Sequence, residues 1–268
     1  MRWSLALGLA AALAAPASGG AQSAPSPTIA RVERHGRVIL DNFSSKVGVP
    51  AVTFDHARHR VFYTCRVCHA DLAFALKAGE TQVSASTNEG GTHCGACHDG
   101  KTHDGRTVFR ACWGWPRADA ARGCTRCHTG AAPGPPPADV ELKRVLPIDA
   151  AGDIDWEAAQ RRGVIKPLDL VEGVSVKRPT MKIDRDVTFQ AIGTWLKNVT
   201  FSHKKHAGWN GCELCHPEIF PISRRNAVKY GMDDVRAGRY CGVCHLNVAF
   251  SIDACQRCHA GDGRPSLR

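Results

Sequence analysis

Long apolar runs are nearly absent from this 268-residue sequence. The one such run, Leu5 to Ala15, lies near the start and is too short to span a bilayer. Arg2 precedes it and small residues at 19–21 follow it, a pattern typical of a secretory signal peptide over residues 1–21. We therefore expect no membrane span and a periplasmic or extracellular protein.

Residues that bind metals are missing from one part of the chain. Residues 138–198 contain neither cysteine nor histidine. After Met1, the only methionines are Met181 and Met232. Metal-binding chemistry is thereby confined mainly to residues 52–128 and 199–259, on either side of that stretch.

The stretch between these two regions has features of a connector. Four prolines within residues 131–137 mark a semi-rigid linker. Beyond it, the sequence predicts a short helix with Asp155 as the N-cap, Trp156 and Ala159 on one face, and a stop at Gly163. We expect an arm that packs on the second region.

Cysteine is abundant, and an exported chain with thirteen cysteines would normally suggest a disulfide scaffold. Twelve of them, however, form six Cys-x-x-Cys pairs, and a histidine follows every pair at once. Zinc ribbons and redox dithiols do not require that histidine. The pattern predicts six covalent c-type haems, each with two thioether cysteines and one proximal iron ligand. The motifs are Cys65/Cys68/His69, Cys94/Cys97/His98, Cys124/Cys127/His128, Cys212/Cys215/His216, Cys241/Cys244/His245 and Cys255/Cys258/His259.

The formal charge of +10 could indicate a nucleic-acid partner or an anionic membrane surface. Each haem adds two propionates, so that six ferric haems lower the net charge by roughly six. We therefore expect a holoprotein near neutrality, with no nucleic-acid partner, whose basic residues solvate the surface and pair with propionates.

The sequence repeats with an offset of 147 residues and no gap between Val52–His69 and Val199–His216. Only the last interval differs, because His98 to Cys124 spans 26 residues and His245 to Cys255 spans 10. Each half holds three motifs but too few residues for a good apolar core, so the haems must form the core.

The expected fold is therefore a set of short α-helices and irregular loops wrapped around haems, with little β-sheet. We divide the chain into a signal peptide (1–21), a lead-in (22–50), a first triheme module (51–130), a linker and connecting arm (131–198), a second triheme module (199–262) and a tail (263–268).

Two His-x-x-His pairs occur at the same distance before a haem motif in each half. Such a pair can be a solvated basic turn, but its recurrence favours distal iron ligands. We expect four distal ligands here: His56, His59, His203 and His206.

The third distal ligand must differ between the halves. In the second half no histidine remains, which makes Met232 the candidate, although a methionine can also fill a gap in a core. The equivalent residue of the first half is Ala85, which cannot bind iron. His103 or His93 must serve there, or that haem is five-coordinate. His103 is favoured because the 98–124 segment can fold back.

Two residues remain outside this scheme. We expect His35 to be a surface residue. Cys112 has no cysteine partner, and we expect a buried thiol beside Trp113 and Trp115 rather than an intermolecular disulfide or an unusual ligand.

The second half, with FSHKKH, CELCHPEIF, GMDDVRAGRYCGVCH and CQRCH, resembles the c7-type triheme cytochromes. These are related to cytochrome c3 and also occur as multidomain proteins with repeated triheme units. The first half, with FDHARH, CRVCH and CGACHDG, looks like a diverged copy. The resemblance implies the axial pairs His203/His216, His206/His245, Met232/His259, His56/His69 and His59/His98.

The resemblance also implies electron transfer in the periplasm or outside the cell, in anaerobic respiration or metal reduction. We expect an electron carrier rather than an enzyme. Its partners would be other cytochromes, quinol-oxidising membrane complexes or outer-membrane conduits. The alternatives are an oxyanion reductase with an open haem near His103 and a structural subunit of a cytochrome conduit.

Overall fold

The computed structural model describes residues 36–114, 120–130, 138–178, 183, 185–191, 196–222 and 229–261, all within one compact unit. The predicted signal peptide, His35, Trp115, the Pro-rich linker at 131–137, Met181 and the tail at 263–268 lie outside these residues.

Regular elements are short, as predicted. The strands are β1 (Arg37–Leu40), β2 (Val52–Asp55), β3 (Thr102–His103), β4 (Arg106–Thr107), β5 (Asp186–Phe189) and β6 (Val199–Ser202). The α-helices are α1 (His56–Arg60), α2 (Ala85–Glu89), α3 (Ala120–Cys124), α4 (Ala138–Leu142), α5 (Trp156–Arg161), α6 (His203–Asn210), α7 (Met232–Arg236), α8 (Gly242–His245) and α9 (Cys255–Cys258). Two 3₁₀ helices (Ser45–Val47, His93–Ala96) and one π-helical turn (Val67–Asp71) complete the set in the described part. The predicted fold class is confirmed.

Each triheme module opens with a two-stranded antiparallel sheet. β1 pairs with β2 so that Arg37 faces Asp55, and β5 pairs with β6 so that Asp186 faces Ser202. The second strand of each pair holds the repeated Val-Thr-Phe, whose β-branched and aromatic side chains favour strands. The partner strands come from the predicted lead-in and connecting arm, so each module's structure begins before its haem-binding block.

A glycine in the second motif of each module permits close backbone packing. A Cβ on Gly95 would lie 1.8 Å from the Asn88 carbonyl oxygen, and one on Gly242 would lie 1.9 Å from that of Val235. Asn88 and Val235 are themselves separated by the repeat offset. The two modules therefore share a packing contact that excludes every side chain larger than hydrogen.

The third motif of each module returns to the start of the module's second strand, β2 or β6. Gly130 N–H donates to the Ala51 carbonyl at 2.9 Å, and Gly261 N–H donates to the Asn198 carbonyl at 3.0 Å. Ala51 and Asn198 are equivalent in the repeat. The two modules thus close in the same way, although one spans 16 more residues between its second and third motifs (26 − 10).

The connecting arm forms a small apolar core of its own. Helix α5 begins where predicted, because the Asp155 side chain accepts a hydrogen bond from Ala158 N–H at 2.9 Å. Ala159 is fully buried in this core, and Trp156 packs against it, as predicted. Val61 of the first module and Trp209 of the second also contact it. The full set is Leu146, Ile154, Ala159 and Ile165, with Val61, Leu142, Trp156 and Trp209 around them.

An ion-pair triad links the arm to both modules. Arg178 of the arm pairs with Asp71 of the first module and, at 3.2 Å, with Glu213 of the second. The Asp71 side chain has no exposed surface. The arm therefore joins the two modules by charge as well as by apolar packing.

Candidate haem sites

Five histidines of the first module, each predicted to be an axial ligand, are held by main-chain carbonyl groups. In each case the ring Nδ1–H donates to a carbonyl oxygen, which leaves Nε2 free for a metal. The acceptors are Gly36 for His56 (3.0 Å), Asp55 for His59 (3.2 Å), Phe74 for His69 (2.8 Å), Phe109 for His98 (3.2 Å) and Pro50 for His128 (2.7 Å).

The second module repeats this arrangement. The acceptors are Arg185 for His203 (2.9 Å), Ser202 for His206 (2.9 Å), Phe220 for His216 (2.6 Å), Phe250 for His245 (3.0 Å) and Lys197 for His259 (2.8 Å). Pro50 and Lys197, which orient the last proximal histidine of each module, are separated by the repeat offset. Ten histidines therefore present the same ring nitrogen for coordination.

Three histidine pairs face each other at a spacing that fits one iron. The ring centres of His56 and His69 are 6.3 Å apart with planes 6° from parallel. His59 and His98 are 6.1 Å apart.

The third pair, His206 and His245, is 6.3 Å apart. A metal–imidazole bond is about 2 Å long, and the ring centre lies about 1 Å beyond the nitrogen, so two imidazoles on one metal have centres about 6 Å apart.

Burial keeps these imidazoles neutral, which coordination requires. Desolvation lowers the pKa of His56 to about 4 and that of His245 to about 4. It also lowers the pKa of His59, His98 and His206. At pH 7 these rings retain a lone pair for iron.

A phenylalanine supports each His-x-x-His pair, a feature that we did not predict from the sequence. The Phe54 ring lies 4.8 Å from His56 and 4.5 Å from His59. Phe201 lies 4.9 Å from His203 and 4.1 Å from His206. The repeated Val-Thr-Phe before each pair was the signal that could have revealed it.

Not every predicted axial pair is brought together. Among the described residues, no ring contact joins His203 to His216. Met232 begins helix α7 and is 37% exposed.

The two candidates for the sixth distal ligand differ in their surroundings. His103 Nε2 lies 2.9 Å from Asp99 Oδ1, in a hydrogen bond that occupies this ring nitrogen. His93 Nδ1 is buried and has no hydrogen-bond partner.

None of the thirteen cysteines, Cys112 included, is paired in a disulfide. The prediction that Cys112 is buried is wrong, because it lies exposed in a turn with φ of 61°. Its sulfur accepts a 3.7 Å hydrogen bond from Asn88 Nδ2, and the neighbouring Trp113 is itself 56% exposed.

A sequence profile described as "Cytochrome c7 and related cytochrome c" matches residues 52–131 and 199–260. The two matches cover 142 residues (80 + 62), more than half of the chain. The chain belongs to the cytochrome c7 family. The cytochrome therefore carries covalently bound c-type haems, for which its Cys-x-x-Cys-His motifs supply the attachment sites.

Solved structures with similarity to this cytochrome are multihaem proteins. A "c7-type three-heme cytochrome domain" is 32% identical over 30% of this chain and 95% of its own, with a TM-score of 0.27. The C-terminal hexaheme fragment of GSU1996 is 24% identical over 84% of this chain and 96% of its own, with a TM-score of 0.26. Dodecaheme cytochrome c GSU1996 is 20% identical, covering 83% and 73%, with a TM-score of 0.25. A search of curated proteins gave no match.

No helix in the described ranges is long and apolar enough to cross a membrane.

Proposed function

We propose that this cytochrome carries six haems and passes electrons between redox partners in the periplasm or outside the cell. The proposal rests on three pairs of imidazole rings whose centres are as far apart as expected for two ligands of one iron. Two of these pairs, His59/His98 and His206/His245, occupy equivalent positions of the repeat. Bound haem supplies reversible one-electron chemistry at iron, and the protein sets its potential by ligand choice, hydrogen bonding and burial. The two histidines of each facing pair would hold the iron of one haem from both sides.

The proposed proximal ligands are the six motif histidines, and four distal ligands are proposed from the His-x-x-His pairs. A carbonyl bond to Nδ1 supports each of these ten positions. For the last haem of the second module we propose Met232, as the only methionine near a motif. For the last haem of the first module we propose His93.

Contacts that the lead-in and the arm make with the modules support a single electron path rather than two separate ones. Gly36 N–H donates to the Asn247 carbonyl at 2.5 Å, and Tyr63 bridges to Leu168 of the arm. A carrier of this kind needs no catalytic residue. Its proposed partners are other cytochromes, quinol-oxidising membrane complexes or outer-membrane conduits in anaerobic respiration.

The haem count is tested by the intact mass of the purified holoprotein. We expect the apoprotein mass plus six haems. The double variant Cys65→Ser/Cys68→Ser should lose one haem mass, because both thioether bonds are removed. Cys112→Ser is the matched control and should retain all six. A wild-type mass with fewer than six haems would refute the count.

The Met232 assignment is tested by the far-red absorption of the ferric protein, where a methionine–iron band is expected. Met232→Ala should abolish that band and lower the potential of one haem, because the thioether favours ferrous iron. Met181→Leu is the control and should leave the band intact. A band that survives in Met232→Ala would exclude Met232 as a ligand.

A further inference from the structure

Arg60 contacts both modules and the connecting arm. It ends helix α1, directly after His59. Its guanidinium carbon lies 4.6 Å from the ring centre of Trp156 in the arm and 4.9 Å from that of Trp209 in the second module. Its Nη1 donates to the Val248 carbonyl at 3.5 Å. A single side chain from the first module therefore lies at the junction of all three parts.

No ion pair neutralises the charge of Arg60 in the part of the chain that the structure describes. Its Nε is buried and has no hydrogen-bond partner, and no carboxylate of the described residues forms an ion pair with it. Other partly buried arginines are neutralised, since Arg66 pairs with Asp169 at 2.9 Å and Arg178 pairs with Asp71. A desolvated guanidinium without an anion is costly, and two tryptophan faces offset only part of that cost. The surroundings of Arg60 therefore suit an additional anion, since no carboxylate in the described ranges pairs with it.

The space beside Arg60 is flanked by candidate iron ligands of both modules. A cavity of about 60 Å³ is lined by residues that include His56, Arg60 and Phe250. Asp153 also lines it, and its carboxylate pairs with Lys143 at 3.5 Å rather than with Arg60. His56 faces His69 of the first module. The Phe250 carbonyl orients His245 of the second module. The guanidinium thus lies between one haem site of each module.

We propose that Arg60 pairs with a haem propionate at the junction between the modules and raises the reduction potential of that haem. The inference rests on the proposed haem ligation at His56/His69 and His206/His245. A propionate is the anion that haem itself brings to such a site, and guanidinium binds carboxylates with two parallel hydrogen bonds. Reduction adds negative charge to the haem, so a nearby desolvated cation stabilises the ferrous state. Arg60 is in this sense a positioning and potential-setting residue.

Three variants of the holoprotein test the proposal. Arg60→Met removes the charge and keeps an extended side chain between the tryptophans. Arg60→Lys keeps the charge and loses the planar fork. Arg58→Gln, on the same helix but half-exposed and paired with Glu141, removes a surface charge as the matched control. Each variant is first checked for six haems by mass and for low-spin spectra, so that a failure of the haem assignment is recognised separately.

The reduction of individual haems is then followed by NMR of their methyl signals against potential. In Arg60→Met we expect at least one haem to become tenfold harder to reduce, which is about 59 mV for a one-electron couple. Arg60→Lys should stay within about threefold of wild type, and Arg58→Gln should match wild type, because surface charges are screened. Wild-type potentials in Arg60→Met, or equal shifts in Arg60→Met and Arg60→Lys, would overturn the proposal. If Arg60→Met does not bind six haems, the test rests on Arg60→Lys alone. A tenfold change in the reduction of any haem in Arg60→Lys would then refute the role of the charge, because lysine retains it.

Discussion

Replacing His93 with alanine should convert one haem from low-spin to high-spin, because its iron would lose one axial ligand. His93 stands directly before Cys94, and Cys94 lies close enough to Cys127 of the third motif for their charges to interact. The buried, unpartnered Nδ1 of His93 is a metal-binding nitrogen without another role in the described structure. The measurement is the electron paramagnetic resonance spectrum of the ferric protein, with the high-spin signal amounting to about one haem in six.

The repeat supplies a second reason for this expectation. His93 corresponds to Tyr240 in the second module, and Ala85 corresponds to Met232. At these two positions each module has one histidine or methionine: His93 in the first module and Met232 in the second. The two copies would supply the same missing ligand from different positions of the chain.

His103→Ala is the matched control for the His93 prediction. His103 pairs with Asp99, and this contact holds the pKa of the Asp99 carboxyl below its usual value. Removing the ring should therefore break one partly exposed hydrogen bond and leave the spin state of every haem unchanged. A high-spin signal in His103→Ala, with none in His93→Ala, would reverse the assignment. A high-spin haem already present in the wild-type protein would instead support an open site and the reductase alternative.

Replacing Arg178 with methionine should destabilise the protein by about 2–3 kcal/mol, because it leaves the fully buried carboxylate of Asp71 without its cation. The contact with Glu213 of the second module is lost at the same time. The free energy of unfolding can be measured by guanidinium titration followed by Soret absorbance and far-ultraviolet circular dichroism.

Two further variants separate the buried charge from other effects of the substitution. Arg161→Met breaks an exposed i,i+4 pair with Glu157 and should cost less than about 1 kcal/mol. Asp71→Asn in the Arg178→Met background should recover part of the loss, because no unpaired charge remains. An Arg178→Met cost no larger than that of Arg161→Met would show that the triad does not hold the modules together.

The haem motifs and the His-x-x-His pairs could be predicted from the sequence because their chemistry depends on residue type and spacing. The short helix at Asp155 could be predicted because a capping residue, an apolar face and a terminal glycine are local signals. The orienting carbonyl groups could not be predicted in this way. Every residue has a carbonyl, so Pro50 and Lys197 carry no sign of their role. Their position depends on how the third motif of each module folds back on the segment that leads into β2 or β6.

The arm was only partly predictable for a similar reason. Its role in the described structure depends on contacts with Val61 and Trp209, which come from opposite ends of the chain. The ion pair between Arg178 and Asp71 spans 107 residues. No local pattern marks such a partner. The exposure of Cys112 likewise depends on a left-handed turn that the letters ACWGW do not specify.

Because main-chain oxygens hold the histidine rings, most side chains around the haems are free to vary without moving a ligand. Pro50 and Lys197 differ in size, charge and flexibility, yet they provide the same acceptor to His128 and His259. The duplicated half could therefore accumulate substitutions while its iron sites kept their geometry. In such a protein, the groups that orient the histidine rings do not depend on which side chain stands at their positions.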